Sequence, residues 1–171
     1  LIRHAAEDKK VSGILIENGF GGLGASSAKV ILEALEDFKE SDKFLAAYGD
    51  FYTQQGYYLA SPADHITLHP VGTVDFRGFA SYVPFFKGLL DKIGIDMQIY
   101  YAGNFKSATE PFRRTEMSPE NKLQTREYLA DTYTMYLEDI ADARHINVDS
   151  LKNMAWQFQV KNADDALRLK L

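Results

Sequence analysis

The chain has 171 residues, of which 46% are apolar, 13% aromatic and 25% charged, a balance that fits a soluble globular domain with a sizeable core and excludes a disordered or fibrous chain. Its net charge of -5 comes without any Lys/Arg-rich run, so neither a nucleic-acid backbone nor an anionic membrane surface finds a basic counterpart. With no cysteine, disulfides, thiolate metal sites and cysteine nucleophiles are excluded.

Val11 to Ile16 is a short β-branched run ending in the turn residues Asn18 and Gly19, which predicts a strand buried on both faces. A helix follows, with Ser26 or Ser27 as its cap and Ile31, Leu35 and Phe38 at i, i+4, i+7 spacing. Lys43 to Tyr48 reads as a second strand, and Thr53 to Ala63 as a helix that Pro62 helps to end. His65 to His69 reads as a third strand, with Ile66 and Leu68 on one face and His65, Thr67 and His69 on the other. Gly72 to Ala80 is expected as a turn and short β segment, Tyr82 to Ile93 as a helix, and Met97 to Tyr101 as a fourth strand. Ser118-Pro119-Glu120 supplies a cap, a proline at the first helical position and an acidic first turn for a helix to about Arg144. Strands alternating with helices and no internal repeat or linker predict one α/β domain over residues 1–171 with a mainly parallel sheet.

The ends carry expectations of their own. Residue 1 is Leu, no leader-like segment opens the chain, and no apolar run approaches the roughly 20 residues of a bilayer span. Asn162 to Leu171 is amphipathic and lacks a closing glycine or proline, so the chain is expected to be a piece of a longer protein.

Several motifs invite chemistry. Gly19-Phe20-Gly21-Gly22-Leu23-Gly24 matches G-x-G-x-x-G, but serines follow the last glycine and Asp50 lies well past the offset of about 20 residues that a dinucleotide site needs. It reads as a glycine-rich turn, with no cofactor. His65 and His69 lie four apart in a strand rather than a helix, with no carboxylates beside them, so no metal site is assigned. No G-x-S-x-G elbow supports a serine-histidine-carboxylate triad. Asp139 with Asp142, and Asp164 with Asp165, read as solvated helix surface, and Phe51, Tyr52, Tyr57 and Tyr58 as packing against the sheet.

The segment Gly103-Asn104-Phe105-Lys106-Ser107-Ala108-Thr109-Glu110-Pro111-Phe112-Arg113-Arg114 stands apart, because it leaves the end of a predicted strand, where open α/β sheets place their ligand crevices. Lys106 is a candidate general base. A free lysine has a pKa of about 10.4, so this role needs desolvation, which Phe105 and Phe112 would supply, or a cation such as Arg113 or Arg114. Glu110 would oppose both, and from the residues alone a surface lysine paired with Glu110 is the better reading.

That segment, together with Lys43-Phe44-Leu45-Ala46-Ala47-Tyr48-Gly49, Gly56-Tyr57-Tyr58-Leu59-Ala60-Ser61-Pro62-Ala63-Asp64-His65-Ile66 and Gly94-Ile95, resembles the signal peptide peptidase A, or protease IV, family over nearly the whole chain. The resemblance implies the Clp protease/crotonase fold, a stack of β-β-α units followed by helices, and a serine nucleophile with a lysine base, for which Lys106 is the matching lysine. Aligned on Gly56, Tyr57 and Tyr58, Gln54 stands where single-unit members carry the serine, and a neutral amide cannot form an acyl intermediate. The pattern therefore resembles the amino-terminal half of the long, duplicated form, with the serine and oxyanion donors in a missing carboxy-terminal half. It further implies apolar peptide substrates such as signal-peptide remnants, no cofactor, a homo-oligomer, expected as a tetramer, and a bacterial cytoplasmic-membrane location facing the periplasm through an anchor outside this chain. Two other functions stay open: a non-catalytic scaffold unit of the same assembly, and a crotonase-type acyl-CoA enzyme.

Overall fold

The computed structural model describes residues 1–17 and 22–171, so Asn18, Gly19, Phe20 and Gly21 of the glycine-rich motif lie outside the described residues. Three parallel strands, β1 (Gly13–Glu17), β2 (Phe44–Gly49) and β3 (His65–Leu68), form one sheet in the order β1-β2-β3. Ile14 opposes Leu45, Ile16 opposes Ala47, and Ala47 in turn opposes Ile66. Because side chains alternate across a strand, this register gathers Ile14, Ile16, Leu45, Ala47, Ile66 and Leu68 on one face. The other face carries Leu15, Phe44 and Tyr48, which are exposed, and His65 and Thr67, as the alternation in β3 predicts. The expectation that the first strand is buried on both faces is corrected: Leu15 is 57% exposed.

The buried face meets two helices. In α2 (Ala25–Lys39), Ala28, Leu32, Leu35 and Phe38 form the covered stripe. A side chain such as Leu32 or Phe38, with no exposed surface, contributes about 1.5–3 kcal/mol through burial. Neither serine caps α2. Gly24 is its extended N-cap residue, its carbonyl accepting from Ala28 N at 3.0 Å, and Ser26 and Ser27 fall inside the first turn. In α3 (Gln54–Ala60), Thr53 is the cap and accepts from Gly56 N. Tyr57 and Tyr58 are fully buried, as is Tyr52, so the aromatic group packs the core. Past β3, an isolated parallel bridge joins Tyr52 to Val74, the short β segment the sequence predicts. Gly72 permits it, since a Cβ there would lie 2.2 Å from the Asp50 carbonyl oxygen.

The chain divides into two compact units, Leu1–Gly78 with Thr134–Leu171, and Phe79–Tyr133. Besides the sheet, the first unit holds α1 (Ile2–Glu7), which the sequence reading does not identify. The second contains α4 (Lys87–Lys92), α5 (Glu110–Arg113) and the start of the 26-residue α6 (Pro119–Arg144). The later residues of α6 belong to the first unit, where Tyr136, Leu137, Ile140 and Ala141 are buried; α7 (Val148–Trp156) adds Leu151 and Ala155, and α8 (Ala163–Arg168) adds Ala166.

Two expectations fail within the second unit. Only Lys87–Lys92 of the stretch 82–93 is helical, because Pro84 disfavours helical backbone at Val83. Met97 to Tyr101 forms no strand: it has no hydrogen-bonded neighbour strand among the described residues, and Met97, Tyr100 and Tyr101 are exposed.

Candidate active site

Lys106 follows a turn that only glycine enters without strain. Gly103 has φ +86° with open space around an added Cβ, so the backbone angle alone selects glycine, and its carbonyl accepts from Lys106 N at 3.3 Å. A single 3-10 turn, Ser107–Thr109, then leads into α5. Lys106 is exposed and lies on an open cleft of about 470 Å³ walled by Tyr100, Tyr101, Phe105 and Thr109. Its Nζ has no ion-pair partner among the described residues.

The expected pairing of Lys106 with Glu110 is overturned. Glu110 is fully buried and its carboxylate is occupied by other groups. Ser118 N donates to Oε2 at 3.1 Å, Asn121 Nδ2 donates to Oε2 at 2.8 Å, Ser118 Oγ donates to Oε1, and the Arg113 guanidinium lies 3.6 Å from Oε1. Burial alone would raise the pKa of this carboxyl, but the bonds from Ser118 and Asn121 and the charge of Arg113 outweigh it and hold the group below its ordinary value. Ser118 also accepts from Asn121 N, so the cap read from the sequence is present and has a second task. Arg113 donates through Nε to Thr109 Oγ1 at 3.2 Å and lies 3.8 Å from the centre of the Tyr101 ring. The sequence reading names Glu110 and the Ser118 cap but not the bonds that join Glu110 to Ser118 and Asn121; their eight- and eleven-residue separations leave no local signal.

Gln54, at the serine position, belongs to the first unit and Lys106 to the second. Gln54 is buried, and its Oε1 accepts from the backbone of both Arg77, at 3.2 Å, and Gly78, at 2.7 Å. Gln55 forms a reciprocal pair with the Leu23 backbone, donating to its carbonyl and accepting from its N–H, both at 2.7 Å. The two glutamines fasten neighbouring loops to the start of α3.

Other candidates resolve differently. His65 and His69 are exposed, and His69 Nδ1 accepts from Val71 N in the turn after β3. Among the described residues no group of three or more His, Asp or Glu side chains is placed to hold a metal ion. Asp139 is not solvated surface: it accepts from Lys29 Nζ and Tyr58 Oη, each at 2.7 Å, and Tyr58 stacks on Tyr136 at 3.8 Å between ring centres. In the first turn of α8 Asp164 is exposed, whereas Asp165 is half-buried, pairing with Arg168 and accepting from Lys161 N. No helix among the described residues is long and apolar enough to cross a membrane.

The family model described as Peptidase family S49 matches residues 37–171, a span that includes β2, β3, Gln54, Lys106 and the whole Glu110 network. The chain belongs to peptidase family S49. Its mixed α/β architecture is accordingly of the Clp protease/crotonase type. Among S49 relatives, it is 35% identical to Protease 4 of Haemophilus influenzae over 92% of this chain and 26% of that protein. It is 36% identical to Protease 4 of Salmonella typhi, over 88% of this chain and 24% of that protein. A third relative, 24% identical over 97% of this chain and 25% of its own length, is Serine protease SPPA, chloroplastic, of Arabidopsis thaliana. The chain thus spans about a quarter of the length of these relatives.

Proposed function

We propose that this chain is the base-supplying, amino-terminal part of a serine-lysine peptidase, with Lys106 as the base and the serine on a part of the longer protein outside this chain. The observation that carries the reading is the state of Lys106: its amine is unpaired on an aromatic-walled cleft, while Glu110, its expected partner, is wholly engaged elsewhere. Gln54 supports the division of labour, since its side chain has no nucleophilic atom and its carbonyl oxygen ties down Arg77 and Gly78. The printed names of the relatives, two of them Protease 4 and one a serine protease, favour peptide hydrolysis by serine.

In this reading the neutral Lys106 amine takes the proton of a serine hydroxyl as the serine oxygen bonds to a peptide carbonyl carbon. The resulting ammonium returns that proton to the leaving amine as the peptide C–N bond breaks. Water then attacks the acyl-enzyme, giving one proton to Lys106, which passes it back to the serine oxygen as the ester bond breaks. Backbone N–H groups beyond this chain hold the oxyanion. The complete protein acts as a tetramer at the extracytoplasmic face of a bacterial membrane on apolar peptides such as signal-peptide remnants. The exposed Tyr82, Leu89, Ile93 and Tyr100 of the second unit favour assembly with further subunits.

The test is turnover of a fluorogenic apolar peptide amide by the complete polypeptide with Lys106→Ala and Lys106→Arg. Both should lose nearly all activity, because arginine keeps the charge but supplies no neutral base. Full activity in either variant overturns the assignment. The competing scaffold reading, favoured by the structural use of both Gln54 and Gln55, predicts that full activity.

A further inference from the structure

Glu110 is a fully buried carboxylate that no step of the proposed reaction uses. Its two oxygens collect donors from both sides. Ser118 N, Ser118 Oγ and Asn121 Nδ2 come from the beginning of α6, and the Arg113 guanidinium comes from the last turn of α5. Arg113 in turn bonds Thr109 and lies over Tyr101, so two walls of the Lys106 cleft connect to the same guanidinium. Between Gly103 and Glu110 the chain has one 3-10 turn, held by Lys106 N on the Gly103 carbonyl and by Glu110 N on the Ser107 carbonyl, and it enters α5 at the buried Glu110.

We infer that Glu110 is a positioning residue: its carboxylate fastens the segment bearing Lys106 to the start of α6 and, through Arg113, sets the Tyr101 wall of the same cleft. This rests on the reading of Lys106 as the base. The chemistry of the network makes the carboxylate specific. Every neighbour is a donor, so a group with two acceptor oxygens satisfies all of them, whereas an amide must turn its NH2 toward a donor. A lysine amine has four rotatable side-chain bonds, and its alignment with a hydroxyl depends on where the backbone holds its Cα.

The experiment is steady-state hydrolysis of a fluorogenic apolar tripeptide amide by the complete polypeptide, with melting temperature measured alongside. Glu110→Gln should lower kcat roughly 10- to 100-fold per folded molecule while KM stays within about twofold, since an ångström of misplacement acts on the reacting geometry and not on peptide binding. Glu110→Asp, which restores the charge, should recover part of that loss. In a Lys106→Ala background, Glu110→Gln should cause no further decrease. If Lys106→Ala is inactive but folded Glu110→Gln keeps its kcat, the positioning role is overturned and the base assignment stands. If Lys106→Ala is fully active, the base assignment falls and takes the inference with it. Should Glu110→Gln fail to fold, Asn121→Ala removes one donor and leaves the charge pair; it should lower kcat with KM unmoved, and an unchanged kcat overturns the proposal. A residue with only a structural task would lower the melting temperature in all these variants and leave kcat per folded molecule alone.

Discussion

Glu110 and Asp139 are carboxylates that composition would assign to the surface, and both serve the interior. Because hydrogen bonds hold the Glu110 carboxyl below its ordinary value of 4.5, the unfolded chain binds the extra proton as the medium turns acid. The contribution of Glu110 to stability is therefore complete above that ordinary value and is lost as pH falls through the folded one. We expect melting temperatures of the parent chain and Glu110→Gln to differ at pH 7 and to converge as the medium turns acid; a gap that does not shrink as pH falls below 4.5 contradicts this. At Asp139 the Tyr58 hydroxyl is buried and hydrogen-bonded to the carboxylate, both of which push the phenol upward. Tyr58→Phe removes a donor from a half-buried anion and should cost about 1–3 kcal/mol in urea unfolding, more than a surface tyrosine such as Tyr128. Neither network was legible in the sequence. The four-residue spacing of Lys106 and Glu110 suggests a pair, but Lys106 precedes a 3-10 turn while Glu110 points inward, so helical i, i+4 geometry never arises.

Elements defined by local chemistry were readable, and those needing a distant partner were not. The three strands, the β3 alternation, the Ser118 cap and the length of α6 follow from periodicity and capping residues that act over a few positions. Met97 to Tyr101 has strand-like residues, yet a strand exists only beside another, and among the described residues none pairs with it. Start sites of helices shift for similar reasons: α2 begins a residue before Ser26 because a glycine in extended backbone serves as its cap. Lys106 is a candidate base from its place after a predicted strand, but its residues alone favour a surface lysine paired with Glu110, and only the resemblance turns that reading. At this scale α3 carries the prediction that tests its anchoring. Gln54→Ala should cost about 1–3 kcal/mol by urea denaturation, because the Arg77 and Gly78 N–H groups lose their acceptor. A change within 0.3 kcal/mol would mean that water replaces the amide without loss.

Across the whole molecule, burial is distributed unevenly. The apolar core is drawn from residues of the first unit, whereas between Phe79 and Tyr133 the described residues that are buried, Glu110, Ser118 and Asn121, are all polar. The buried side chains of this unit form a hydrogen-bond network, while its Tyr82, Leu89, Ile93, Met97 and Tyr100 are exposed. The chain spans about a quarter of its relatives' length, and the proposed reading divides base and nucleophile between parts of one longer protein. The most direct measurement of that division is covalent labelling by a serine-directed fluorophosphonate. The complete polypeptide should be labelled on a serine beyond this chain, its Lys106→Ala variant should label at least a hundredfold more slowly, and this chain alone should not react. Labelling within this chain, or an undiminished rate in Lys106→Ala, would contradict the account.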